Sequence, residues 1–339
     1  MKKIILILGN LLLINCGAVL HAQGLYKIVN QIHIEGEGGW DYINADASTD
    51  RLYISHATVA NVVDLKTGKL VGTIPDTKGI HGIAIATELN KGFTSNGRDS
   101  SVTVFDLKTL AVTGKIKVTG RNPDAILYDP YSHKLFTFNG GSSNATVIDA
   151  TNNTVLTTIP LEGKPEFSQT DGKGKVFVNI EDKSKISVIN VKTLKVDQTW
   201  SIAPGEEPSG LALDNETHRL FSVCGNKMMV VSDAEAGKVI TTLPIGDRCD
   251  GVAFDPQLKR AYSSNGEGTI TVVQEENKDS FKVIETVTTQ KGARTITVDT
   301  KTHHLYLPTA EFEAAPTGNN RRPAVKPNTF VILELAQVK

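Results

Sequence analysis

The run Ala125-Ile126-Leu127-Tyr128-Asp129, Lys134-Leu135-Phe136-Thr137-Phe138-Asn139, Ala145-Thr146-Val147-Ile148-Asp149, Thr154-Val155-Leu156-Thr157-Thr158-Ile159-Pro160 decides the fold. It holds four short stretches rich in β-branched and aromatic residues, the composition of half-buried strands. Turn formers separate the first two, Asp129-Pro130-Tyr131-Ser132-His133, and a polar loop opening Asn139-Gly140-Gly141 follows the second.

The same unit recurs along the chain. Its first strand ends at Asp46, Ala86, Asp129, Asp171, Asp214, Asp255 and Asp299, steps of 40, 43, 42, 43, 41 and 44 residues. Self-similarity at that period predicts a β-propeller with one four-stranded blade per unit. The seventh unit stops at its third strand, Phe330-Val331-Ile332-Leu333-Glu334, whereas residues 26–34 form an unassigned strand ahead of unit one. That strand is expected to complete blade seven, closing the ring and leaving no open edge. The fold class is thus all-β, a seven-bladed propeller occupying residues 23–339 as one domain.

The chain has 339 residues, with 36 Lys+Arg against 37 Asp+Glu. Such balance argues against a globally basic nucleic-acid binder. Lys2 and Lys3 precede a short apolar run, Ile4 to Ile14, too short to span a bilayer. Residues 1–22 read as a signal peptide cut after Ala22, which places the chain in the periplasm or outside the cell; lipid anchoring at Cys16 is the alternative. No later segment approaches a membrane span. There is no Gly-rich phosphate loop, no CxxC pair and no nucleophile elbow.

The chain resembles the YVTN-repeat, YncE-like family of periplasmic and secreted β-propellers. The resemblance is carried by Leu135-Phe136-Thr137-Phe138-Asn139, Ala145-Thr146-Val147-Ile148-Asp149 and Thr154-Val155-Leu156-Thr157-Thr158-Ile159-Pro160, and again by Lys185-Ile186-Ser187-Val188-Ile189-Asn190. It covers nearly all of residues 26–339 and implies the fold and export. For activity it implies only a range, since some related seven-bladed propellers bind ligands and others are lactonases or lyases.

The site expectation comes from the repeat itself. The residue five before each anchor should face the central channel: Asp41, His81, Asp124, Glu166, Ser209, Asp250 and Arg294. One reading is a solvated channel mouth; the other is a site for a small polar ligand or a divalent metal ion, with Asp41, His81, Asp124, Glu166 and Asp250 as ligands. A second layer lies at the ends of the second strands: His56, Asn96, Asn139 and Asn265, with recurrent Asn also fitting a turn role. His56 is expected to face the loop carrying His81. Cys224 and Cys249 map to the same face, where a disulfide and two free thiols both stay open.

Blade seven carries a long loop, 311–328, with Arg321, Arg322 and Lys326. It reads as a lid, a docking loop or a solvated insert. Three functions follow: a monomeric binding or protein-interaction module of the cell envelope, with a divalent metal ion as the one cofactor the residues suggest; a metal-assisted hydrolase or lyase using the acidic ring with His81 or His56; and weak nucleic-acid or polyanion binding through Arg294 and the 321–326 segment.

Overall fold

The computed structural model describes residues 24–314 and 323–338. The expected leader with its cut after Ala22, Cys16, and the loop positions 315–322 lie outside the described residues. Seven four-stranded antiparallel sheets follow one another around an axis. Six are consecutive meanders, at residues 40–74, 80–117, 123–160, 165–201, 208–244 and 249–288. The seventh joins Thr297–Asp299, His304–Thr309 and Val331–Gln337 to the N-terminal strand Tyr26–His33. Tyr26 pairs with Gln337 and His33 with Val331, so the two ends of the chain close the ring as the repeat count requires. No helix among the described residues is long and apolar enough to cross a membrane.

The middle strands carry the core. Lys134–Asn139 and Asn144–Asp149 are buried on both faces, whereas the outer strand Thr154–Pro160 alternates exposed and half-buried residues. Phe136, Phe138 and Val147 of blade three pack with Val176, Val178 and Ile189 of blade four. Each such side chain removed from water contributes roughly 1.5–3 kcal/mol before entropy is counted. At the end of the first strand the anchor aspartates cap their own turns. Asp129 accepts the Ser132 amide, Asp214 the Glu216 amide, and Asp255 the Gln257 and Leu258 amides. His133 and His218 close the turns after Asp129 and Asp214, and His303 the one after Asp299, in the left-handed region, at φ 53°, 56° and 63°. Their recurrence is therefore a turn feature, on the face away from the channel mouth.

Neighbouring blades approach closely at their inner strands. A Cβ on Gly210 would lie 2.9 Å from the Val252 amide nitrogen and 3.0 Å from the Asp250 carbonyl oxygen of the next blade. Gly251 makes the same approach to blade seven, at 3.0 Å from the Ile296 nitrogen. The obstacle is backbone, which cannot rotate away. Gly210→Ala is expected to cost about 1–3 kcal/mol through overpacking. Urea unfolding measures it, and an unchanged midpoint would contradict the contact.

Candidate functional site

Six of the seven inner strands begin with a fault in the ladder. Register slips between Trp40 and Ile43, Ile80 and Ile83, Pro123 and Ile126, Pro165 and Ser168, Pro208 and Leu211, and Cys249 and Gly251. Within those slips sit Asp41, His81, Asp124, Glu166, Ser209 and Asp250. A β-bulge frees a residue from pairing and re-aims its side chain. Here it turns six side chains towards one axis. In blade seven the inner strand is shorter than the repeat suggests, only Thr297–Asp299, and Arg294 precedes it in irregular backbone.

Most of the ring is one connected network. His81 Nδ1 lies 2.6 Å from Asp41 Oδ2 and 3.7 Å from Asp124 Oδ1. Arg294 reaches Asp41 Oδ1 at 3.3 Å, donates to the Trp40 carbonyl at 3.0 Å, and pairs closely with Asp250. Ser209 Oγ donates to Asp250 Oδ1 at 2.7 Å. On the other side Lys164 Nζ is 2.7 Å from Glu166 Oε1 and also pairs with Glu181. The carboxylates stay partly open to water: the Asp41, Asp124 and Glu166 side chains are 19%, 17% and 10% exposed.

These contacts split the carboxyl groups. Burial works to raise Asp41, but the His81 hydrogen bond and the Arg294 charge outweigh it and hold Asp41 below the usual range. Burial raises Asp124, and the Asp41 charge adds to it against the pull of His81. Burial, then the Asp124 charge, pushes Glu166 up to about 7 despite Lys164. Burial works against the charged form of His81, yet the Asp41 hydrogen bond and the surrounding carboxylates raise it above 6.5.

Two aromatic side chains cross the channel beside the ring. Tyr42 of blade one stacks on Phe167 of blade four, with centroids 4.3 Å apart and planes at 24°. Blades two and three lie between them in the ring, so the contact runs through the axis. Burial and the charges of Asp124, Glu166 and Asp41 raise the Tyr42 phenol well above its ordinary range. Its hydroxyl is shut off from solvent and faces the Asp124 carboxylate without closing a well-formed hydrogen bond. Tyr42 and Phe167 follow ring positions directly. The other five units have Gly82, Ala125, Gly210, Gly251 and Thr295 there, so the two bulky exceptions were visible in the repeat alignment. Lys164 carried no such signal.

The second layer does not join the ring. Asn96, Asn139 and Asn265 are fully buried and brace their own blades. Asn96 Nδ2 donates to Ser101 and Thr103, Asn139 to Asn144 and Thr146, and Asn265 to Thr269 and Thr271. His56 is 2% exposed, stacks on Phe330 at 4.1 Å, and holds Asn61 Oδ1 through Nδ1 at 3.2 Å. Burial lowers its pKa. It does not meet His81, because the last residue of that strand points into the interface with blade seven. Cys224 and Cys249 are buried free thiols, Cys249 Sγ lying 3.1 Å from the Cys224 carbonyl oxygen, and burial pushes both up to about 12. In the blade-seven loop, Lys326 pairs with Glu311 at 2.9 Å, and Phe312 bridges to Val325 while packing on Trp40. Those contacts form a stem beside the mouth.

No protein-family model matches the chain. Antigen Lp49 of Leptospira interrogans is 25% identical over 229 residues, 60% of this chain and 47% of that protein. YncE of Salmonella typhi, an uncharacterized protein, is 24% identical over 181 residues, 51% of each chain. The chain spans about half the length of the curated relatives it matches. This is distant homology to YVTN-type β-propeller proteins. Among solved structures, hydrazine synthase of Kuenenia stuttgartiensis superimposes with a TM-score of 0.67 at 19% identity, over 81% of this chain and 94% of that one. The RRP9 WD40 repeats give 0.76 at 8% identity, over 92% and 97%. At those identities the likeness is one of fold alone.

The ring predicts how stability depends on pH. Glu166 is raised from 4.5 to about 7, so the folded chain keeps a proton there that the unfolded chain releases. Stability is then highest below pH 4.5 for this group and declines as pH rises towards 7. His81 adds the same sign, its contribution being lost as pH rises through its raised folded value. Glu275, buried on the opposite face and pushed up by burial to about 7, acts likewise. Melting temperature should fall by several degrees between pH 5 and 8, and Glu166→Gln should reduce that slope without abolishing it. Equal slopes in both proteins would contradict the assignment.

Proposed function

We propose that this chain, a YVTN-type β-propeller by distant homology, is an exported, monomeric binding module that takes a small polar ligand at the mouth of its central channel. The observation carrying the proposal is the connected ring itself. Glu166 with Lys164, and Asp124, His81, Asp41, Arg294, Asp250 and Ser209, present both signs of charge within one opening beside the Tyr42–Phe167 stack. Purely structural repeats need no such set, since apolar packing and turn caps already hold the blades. A few convergent polar groups over an aromatic floor are the usual make-up of a small-molecule site. The ring offers carboxylates to a cationic group and Arg294 to an anionic one, which favours a ligand bearing both.

Dialysed protein would be melted against amino acids, diamines, hydroxy acids and short peptides. At a hundred times its dissociation constant a ligand stabilises the fold by about 2.7 kcal/mol. At least one compound should raise the melting temperature, and Arg294→Gln should remove most of that gain. No stabilising compound, or a gain indifferent to Arg294, would contradict the proposal.

The export half of the proposal rests on Lys2, Lys3 and the apolar run that follows. Expressed from Met1 in a bacterium with a periplasm, the chain should be recovered outside the cytoplasm beginning at Gln23. Retention in the cytoplasm with Met1 intact would contradict it, and an acylated Cys16 would replace soluble export with anchoring.

A further inference from the structure

We infer that Asp41, His81 and Asp124 together hold one divalent transition-metal ion of the zinc type at the channel mouth, an inference that rests on the ring being the binding site. One ligand atom from each lies within 4.8 Å of the other two. Tetrahedral coordination with bonds of about 2.1 Å sets ligand atoms about 3.4 Å apart. His81 Nδ1 is 3.7 Å from Asp124 and 2.6 Å from Asp41, so a shift of less than 1 Å in the imidazole, away from Asp41, brings both of its distances close to that spacing.

Three further observations point the same way. Arg294 engages Asp41 through Oδ1, which leaves Oδ2 turned to His81 and free to ligate. An outer partner of that kind orients a ligand without occupying the ion's position. The Tyr42 hydroxyl, buried and unpartnered, faces Asp124. An ion that fixes the Asp124 carboxylate, with the water it carries, supplies the partner that hydroxyl lacks. Charge agrees: the four ring carboxylates Asp41, Asp124, Glu166 and Asp250 face the two cations Arg294 and Lys164. With all four carboxylates ionised and His81 neutral the excess is two negative charges, which a divalent ion cancels.

The donor set selects the ion. Calcium takes six to eight oxygen ligands, and an imidazole nitrogen among three donors does not serve it. Imidazole with carboxylate suits zinc, copper or nickel. Three protein ligands also leave a coordination position open, so the ion would face the polar ligand of the mouth directly.

The test uses the exported chain, purified without a metal-affinity tag and stripped with chelator. Titration calorimetry with zinc chloride should give one site per chain, with calcium chloride silent. His81→Gln and Asp124→Asn should each weaken zinc by at least about 10-fold, while Cys224→Ser with Cys249→Ser should leave it unchanged. Cobalt(II) added to the unsubstituted chain should give the visible bands of a low-symmetry oxygen and nitrogen site, without thiolate charge-transfer absorption, a readout independent of whether the variants fold. No stoichiometric zinc, zinc affinity indifferent to both ring substitutions, or a thiolate signature would overturn the inference. If zinc fails while a small polar ligand still depends on Arg294, the metal assignment falls and the ring reading stands; if both fail, both fall.

Discussion

The structure turns on one backbone constraint, the slip in pairing where each inner strand begins. Six blades have it at the same place, and it holds the residue inside the slip out of the hydrogen-bonded ladder. An unbulged strand would keep alternating its side chains between the two blade interfaces. The bulge instead delivers Asp41, His81, Asp124, Glu166, Ser209 and Asp250 to the axis. Close packing of the inner strands comes with it: Gly82, Gly210 and Gly251 stand just after bulged residues, where the next blade leaves no room for a Cβ. Scaffold and site are in this sense the same feature of the repeat, differing only in which side chain occupies the position.

That coupling explains how much could be read from the chain alone. Blade number, strand order and ring closure follow from period and pattern, because a four-stranded unit repeated seven times has few ways to bury its faces. The ring positions were legible for the same reason: a bulge belongs to the backbone, so counting residues from the anchor locates it. Side-chain direction at the next layer was not. His56 ends a second strand as Asn96 does, yet its ring turns onto Phe330, a residue 274 positions away in sequence whose proximity only the closed propeller creates. Asn96, Asn139 and Asn265 are equally structural, tying second strand to third through buried amide donors. Lys164 stood outside every repeated position and emerged only with its partners Glu166 and Glu181.

The two ends of the propeller divide the polar residues between them. At one end, anchor aspartates and αL histidines recur because turns need them; the aspartates cap their own turns, and some also reach the next blade, as Asp255 does to His303. At the other, the ring residues differ from blade to blade, and apart from the Glu166–Lys164 pair their contacts run between blades. A network that passes from Ser209 through Asp250, Arg294, Asp41 and His81 to Asp124 is held in place by five different blades and the approach to a sixth. Such a network is rigid without being saturated, since the Asp124 and Glu166 carboxyl groups remain raised and the Tyr42 hydroxyl unpaired. Unsatisfied polarity in a well-packed scaffold is the state from which ligand binding gains most.

The most direct measurement is anomalous diffraction at the zinc edge from crystals of the chain grown with zinc. The account predicts one strong peak about 2.0–2.2 Å from a carboxylate oxygen of Asp41, Nδ1 of His81 and a carboxylate oxygen of Asp124. A map whose peaks lie only elsewhere, between Cys224 and Cys249 or on the outer rim, with the His81–Asp41 contact unaltered, would contradict it.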